Sequence, residues 1–460
     1  MRNRFSGRIA LVILGGLAGA LTMSFTRGQG PAPRPLPPDL PALDAKAPPV
    51  PSTIRPVSAT AGPSAVPVAV QPGKSRPPVA FDRFRNLDAL PELTRQMVMS
   101  AQTGMEWLYR YNQPHGQFLQ GYLPAVNQLI EGDNYLHQAM ATFALCRAAR
   151  FTGDDRYLVR ANQAILTLLS GTTVDKGVRR LAQQSLVCNR LGAAGYLVMA
   201  IHEMPEPAAD LLVVAEELCA FIRQQQREDG SLSYLDFEDN LQSADRDGVN
   251  RYPGPALYAI ALSQHSRPAV WKAELVRKAI GYYRSWFKEH PDPTFIPWMT
   301  AACVESYSLT KENACAGFAF EMNDWLCTLQ YEQSPDPRKP LWRGGFKSVS
   351  HGRVEATMPG VESALYAQSL ADCCRLLRQM TAPDIQRYDR YRSALIRNLH
   401  FLTTIQFTES NTLHIAANYR MMLVGGFHPT HLDGNLRVDQ SAAGVSALVQ
   451  FLTSGADRQQ

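Results

Sequence analysis

The chain has 460 residues, with 46 Lys+Arg against 41 Asp+Glu for a formal charge of +5, and 45% of it is apolar. That charge is unevenly placed: residues 1–80 carry nine Lys/Arg and two Asp, the remainder 37 Lys/Arg and 39 Asp/Glu. A nearly neutral body without a basic stripe speaks against nucleic acid as a partner.

Met1 to Arg8 is basic, Ile9 to Met23 is apolar, and Arg27 precedes a long Pro-rich stretch. This is the secretory pattern, and the apolar run is short for a membrane span. Residues 1–28 therefore read as a signal peptide, with Ala18-Gly19-Ala20 as a weak cleavage site, or as an anchor through residues 9–25 that contacts a membrane if left uncleaved. Either reading predicts export to the periplasm or cell envelope. Pro31 to Ala80 holds fifteen of the 32 prolines and reads as a disordered, semi-rigid linker over residues 29–80. The folded body is expected over 81–456.

From Phe81 onward the apolar period is helical. Helices are predicted over Leu93–Tyr111, Asn134–Phe151 and Arg156–Leu169, with the corner Gly153-Asp154-Asp155 between the last two. Further helices fall near 187–202, 208–226, 253–264, 268–288, 293–308, 311–330, 360–379, 383–405 and 437–453. That makes about twelve, with almost no alternating β pattern.

The eight cysteines show no Cys-x-x-Cys and no zinc spacing with His. Most sit in apolar helical context as buried thiols. If export forms a bridge, Cys303, Cys315 and Cys327 are the expected members.

A cadence recurs along this body. A helix ends in Phe-x-x-x-Gln or a variant, a loop with Gly and Leu or Phe follows, and a helix rich in small residues begins. It is seen at Phe221–Gln225 with Gly230-Ser231-Leu232, at Leu326–Gln330 with Gly344-Gly345-Phe346, and at Leu402–Gln406 with Gly425-Gly426-Phe427. Two of the following helices open alike, Tyr252-Pro253-Gly254 before Ala256-Leu257-Tyr258-Ala259, and Met358-Pro359-Gly360 before Ala364-Leu365-Tyr366-Ala367. Repeated helical hairpins predict an all-α array. On these repeats the chain resembles the (α/α)6 toroids: six-hairpin glycosidases, α/α polysaccharide lyases, sugar epimerases and terpenoid-cyclase-like proteins. The stretch Gln225–Leu232 is similar to the repeat of the last class. The resemblance implies a closed two-layer ring whose open end is built from the loops before the inner helices. It also implies a polysaccharide or glycan as partner. The chain departs from the cyclases in lacking Asp-x-Asp-Asp.

Three long loops carry the candidate chemistry. Tyr234 to Pro253 is acidic; it reads either as a solvated loop or as a segment placing Asp247 or Tyr252 over the cleft. Lys347 to Glu362 offers Arg353 and, at a helix N-terminus, Glu362, whose ionised form the helix dipole favours. Asn418 to Gln440 offers His428, His431, Asp433 and Arg437. His428 or His431 with Asp433 forms a proton-transfer pair or a loop without chemistry. Pro429 makes helical His-x-x-His ligation unfavourable, and no metal is expected. Asn134 and His137 head one helix, and Asp324 lies mid-helix, where Asp is intrinsically unfavourable. Trp298, Trp325 and Trp342 are candidates for stacking on sugars. No phosphate loop, dinucleotide fingerprint, Gly-x-Ser-x-Gly or His-Glu-x-x-His appears, so no cofactor is expected. A non-catalytic glycan or peptide binder and an isoprenoid-handling protein remain as rival readings.

Overall fold

The structure is a computed structural model. It describes residues 81–182, 189–234 and 247–458. The chain divides into two units, Met1–Pro67 and Val68–Gln460, and the described residues all belong to the second. The expected signal or anchor and the Pro-rich linker lie outside them, as do Cys188 and the acidic positions Asp236 to Arg246. No helix among the described residues is long and apolar enough to cross a membrane.

The helices, in chain order, are α1 (Glu92–Tyr111), α2 (Tyr135–Thr152), α3 (Asp155–Ser170), α4 (Arg190–Glu203) and α5 (Ala209–Gln224). A short α6 (Gly248–Arg251) precedes α7 (Pro253–Ser266), α8 (Val270–Glu289), α9 (Ile296–Thr310) and α10 (Asn313–Leu329). The last are α11 (Ser363–Gln379), α12 (Ile385–Thr404), a short α13 (Ala417–Leu423) and α14 (Val438–Ser454). The twelve long ones follow the predicted spans. Local chemistry sets their ends. Asn134 caps α2 by accepting from the amides of Leu136 and His137 (3.0 and 3.2 Å). Gly153, at φ 67°, stops α2, and Asp154 caps α3 through the Arg156 amide (2.8 Å).

Six helices form an inner ring in the order α2, α4, α7, α9, α11, α14, and α14 packs back on α2. The outer partners are α3, α5, α8, α10, α12 and α1, so the first outer helix closes the last hairpin. The sequence dictates which layer each helix takes. Every residue of α7 from Pro253 to Ser263 is buried, as is nearly all of α4, because these helices are apolar or small all round. By contrast α8 and α12 bury one stripe and turn Arg and Lys outward. Large inner-layer burial of this kind supplies most of the stabilisation, at roughly 25 cal/mol per Å² of apolar surface.

Short antiparallel pairs, which the helical pattern does not announce, lie in the loops. They are β1 (Gly121–Leu123) with β2 (Gln128–Leu129), β3 (Thr172–Asp175) with β4 (Val178–Leu181), and β5 (Ser348–Ser350) with β6 (Arg353–Glu355). A further strand, β7 (Leu436–Arg437), pairs with β1 and ties the start of α14 to the loop before α2. The seven described cysteines are free thiols, six of them buried. No bridge joins Cys303, Cys315 and Cys327; the first two are buried in the core and Cys327 packs half-buried against it.

Candidate functional site

The inner helices all begin at one end of the ring. Most of the connections that reach those starts are long (112–134, 171–189, 225–252, 330–362 and 405–437), whereas those at the other end are tight turns. The mouth is therefore the end with the loops.

Two groups of chemically capable residues line it. At the head of α11, Glu362 is open to water, yet the ring wall encloses it on most sides. Its Oε1 accepts the Gly360 amide (3.0 Å). Enclosure still wins, and the carboxyl pKa is raised above the usual carboxylate range. The expectation of a helix-stabilised carboxylate is thus corrected: loss of water outweighs the amide bonds. Among the described residues it is the one carboxyl group pushed upward. The Met-Pro-Gly opening has a steric cause here, since a Cβ on Gly360 would sit 2.8 Å from the Pro429 carbonyl and within 2.4 Å of Glu362 itself. The Val361 amide donates to that same carbonyl (2.9 Å), which brings the 347–362 and 418–440 segments together.

The second group joins α2 and α14. Arg437 holds Asp439 with two hydrogen bonds (3.1 and 2.8 Å) and donates to His137 Nε2 (2.9 Å); Asp439 lies 3.7 Å from the same nitrogen. A guanidinium can only donate, so Nε2 accepts and Nδ1 carries the hydrogen. Gln120 faces Nδ1 while its own Oε1 is buried without a partner. Exchanging the Gln120 amide oxygen and nitrogen satisfies both atoms at once. Burial, assisted by Arg437 and opposed by Asp439, lowers the His137 pKa, so the ring is neutral.

Below this rim lies an aromatic wall. Half-buried Trp298, near the head of α9, meets Phe143 (5.8 Å) and Tyr196 (5.6 Å) edge-on and stacks with Tyr258 (5.9 Å). Gly254 permits this, because a Cβ there would meet Trp298 Cβ at 2.8 Å. Tyr252 packs beside Tyr234 (6.4 Å) over the head of α4 and adds its field to that of Asp439 at Tyr196.

Other expected residues are engaged elsewhere. Asp247 sits at the start of α6, exposed, 3.9 Å from Arg251. His428 Nδ1 donates to the Thr430 carbonyl (2.7 Å), His431 Nε2 meets Thr404 Oγ1 (2.8 Å), and Asp433 accepts the Asn435 amide (2.9 Å). These three shape a loop; no His–Asp side-chain pair forms. Asp324 lies in the outer layer, gripped by Arg387 (3.2 Å), Arg390 and Tyr391 (2.6 Å), and Trp325 packs edge-on against Phe287. Arg353 is exposed on the β5–β6 hairpin, and Asn134 is occupied as a cap. Conversely, Arg147, Gln368 and Asp372, which line the lumen, and Glu203 and Glu305, which pair with Arg147 and Arg375, are absent from the expected set. Their signal was a charge or amide inside a helix apolar all round, where it must be paired or line a cavity.

No protein-family model matches the sequence, and no curated protein does. Solved structures do match. The α-1,6-mannanase GH76A of Salegentibacter sp. HEL1_6 superposes with a TM-score of 0.55 at 14% identity, over 78% of this chain and 99% of that one. An unsaturated glucuronyl hydrolase specific for heparin gives 0.55 at 12%, over 78% and 97%. Cellobiose 2-epimerase from Bacillus thermoamylovorans gives 0.55 at 9%, over 77% and 98%.

The fold is the six-hairpin (α/α)6 toroid.

An inactive form of that mannanase, with two adjacent aspartates replaced, holds α-1,6-mannotriose. The one Asp-Asp pair in this toroid, Asp154-Asp155, caps α3 at the rim opposite the mouth.

Proposed function

We propose that the toroid acts on a carbohydrate at its mouth, with a sugar ring against Trp298 and Glu362 as the proton donor. The observation that carries this is the half-exposed Trp298 wall lying below a rim that holds the raised Glu362 carboxyl and the His137–Arg437–Asp439 cluster. Aromatic faces suit the apolar faces of sugars, and a carboxyl whose pKa is raised holds its proton more readily and so can protonate a leaving sugar oxygen. Arg437, His137 and Asp439 would bind and orient hydroxyls. The polar ring centre, with Arg147, Gln368 and Asp372, argues against the isoprenoid reading. The carbohydrate-acting neighbours support a sugar ligand. The basic, apolar and Pro-rich leader supports action in the cell envelope.

The test is an assay of the full chain on a glycan panel that includes α-1,6-mannooligosaccharides. Glu362→Gln should lower kcat about 10²- to 10⁴-fold with binding preserved. In the unaltered protein the rate should fall as pH rises through the elevated Glu362 pKa, because the acid form is the active one, and the variant should lack that limb. Full activity in Glu362→Gln would remove the assignment. The non-catalytic reading is favoured by one observation: both oxygens of Asp439, the carboxylate beside His137 at the mouth, are engaged by Arg437. It predicts binding without turnover in the unaltered chain.

A further inference from the structure

The lumen has a floor. Polar side chains from all six inner helices interlock across it, roughly three helical turns below the helix starts at the mouth. Arg147 of α2 lies 3.8 Å from Glu203 of α4 and donates to Gln368 Oε1 of α11 (3.1 Å), although α2 and α11 are not neighbours in the ring. Arg375 of α11 joins Glu305 of α9 (2.8 Å) and Asp372 (2.9 Å). His265 of α7 meets the other oxygen of Glu305 (3.0 Å), and Gln450 of α14 donates to Asp372 Oδ1 (2.6 Å). Glu305 follows Trp298 by seven residues, roughly 10 Å along the helix axis. A chain entering at the mouth meets this layer end-on and cannot thread through it.

Between the aromatic wall and the floor is a cavity of about 10 Å³, lined among others by Trp298, Tyr258, Arg147, Gln368 and Asp372. That is room for one oxygen atom the size of water. Gln368 is 6% exposed, and with its Oε1 fixed by Arg147 its Nε2 has no partner. Asp372 has Oδ1 occupied by Arg375 and Gln450, leaving Oδ2 as an acceptor. A buried donor and an acceptor bordering a one-oxygen cavity match a hydroxyl, which accepts once and donates once. A buried donor left unsatisfied is costly, so the cavity favours an oxygen there, either a water or a ligand hydroxyl that displaces it.

Resting on the carbohydrate reading of the mouth, we infer that the lumen is a blind subsite for the end of a glycan. The terminal sugar stacks on Trp298 and sends one hydroxyl into the axial cavity between Gln368 and Asp372. The substrate class is therefore a chain terminus or a free mono- or disaccharide, not the interior of a polymer. Sites built to hydrogen-bond a substrate hydroxyl reject analogues lacking it far more strongly than apolar pockets reject a missing methylene.

The experiment is calorimetric titration of the full chain with short oligosaccharides, α-1,6-mannotriose among them. Each is compared with the same chain O-methylated at its non-reducing end and reduced at the other. Blocking the ends should abolish binding by the unaltered protein, and Gln368→Met should weaken the unblocked ligand at least 10-fold with the melting transition retained. Equal binding of blocked and unblocked chains overturns the blind subsite, and that arm needs no variant. So does undiminished affinity in a folded Gln368→Met. Absence of any glycan binding by the unaltered chain overturns the carbohydrate reading and this inference together, which is a distinguishable result.

Discussion

Lys272 shows how a single side chain can hold two hairpins of the ring. It is 0% exposed, and its ammonium reaches Glu216 Oε1 (2.8 Å), Ser263 Oγ (2.8 Å) and the Arg267 carbonyl (2.7 Å), linking α5, α7 and α8. Breaking a buried pair from one side leaves the other charge uncompensated. Lys272→Ala should therefore cost about 3 kcal/mol in urea unfolding; an unshifted midpoint would refute the pairing. His202 behaves in the opposite electrostatic sense. Burial, reinforced by Lys272 and Arg150, pushes its pKa down to about 3. Folded, it stays neutral where the unfolded chain, with an ordinary imidazole, takes up a proton below about 6.5. Stability is thus full above that pH and falls by about 1.4 kcal/mol per unit as acid is added towards pH 3. His202→Gln should flatten that slope by one proton in a pH series of denaturation curves; an unchanged slope would contradict it. At this scale the sequence was only partly readable. His137 was picked for its place at a helix head, Arg437 from the 418–440 loop and Trp298 as a surface for stacking; the structure puts the first two at the mouth and Trp298 beneath it. Asp324 was picked for lying mid-helix, but periodicity does not say whether such a face meets the lumen or a neighbouring outer helix. Asp372 was passed over although it interrupts the apolar run Leu370-Ala371-Asp372-Cys373-Cys374.

The cadence that made the fold readable has a mechanical meaning at the scale of the element. Gln330 Nε2 donates to the carbonyls of Gly344 (3.0 Å) and Ala394 (2.8 Å), Gln406 to Ser100 (3.0 Å) and Gly425 (3.1 Å), and Gln226 to Gly230 (3.3 Å) and Leu275 (2.9 Å). Each amide clamps its own loop glycine to the adjacent outer helix, and each glutamine forms an isolated bridge with the apolar residue two places after that glycine. The clamp in the second hairpin is Gln226, one residue later than the Gln225 read from the sequence. The bridge to Leu232 fixes that register. A fourth copy, Asn112 with Gly116 and Phe118, was hidden because Asn stands for Gln, although Asn112 Nδ2 makes the same bond to its glycine carbonyl (2.9 Å). All four glycines have φ between 91° and 99°, and a Cβ on Gly344 would lie 2.0 Å from the Arg397 carbonyl. Only glycine meets both demands. Gly344→Ala should destabilise by about 2 kcal/mol or more, and Gln330→Leu by about 2 kcal/mol through two deprived carbonyls. Chemical denaturation measures both, and neutral values would show that the clamp carries no energy.

For the whole molecule, closure is the property from which the rest follows. The cadence already set the small-residue-rich helix after each loop apart from the helix before it, and those are the helices the ring buries on all sides. The loops were harder to read. Their side chains are placed by contacts distant in sequence, such as Val361 with Pro429 or Gln120 with His137, and no local pattern encodes those. The described ring puts an aromatic wall beneath its loop-built mouth and paired charges deeper in, and this suits a small polar ligand with a flat apolar face. The most direct measurement is titration of the full chain with the glycan panel, followed by calorimetry and Trp fluorescence, alongside Trp298→Ala. The account predicts that at least one glycan binds the unaltered protein, perturbs its fluorescence, and loses at least 10-fold in affinity when Trp298 is removed from an otherwise folded ring. A panel that yields no ligand, or a ligand indifferent to Trp298, would contradict it.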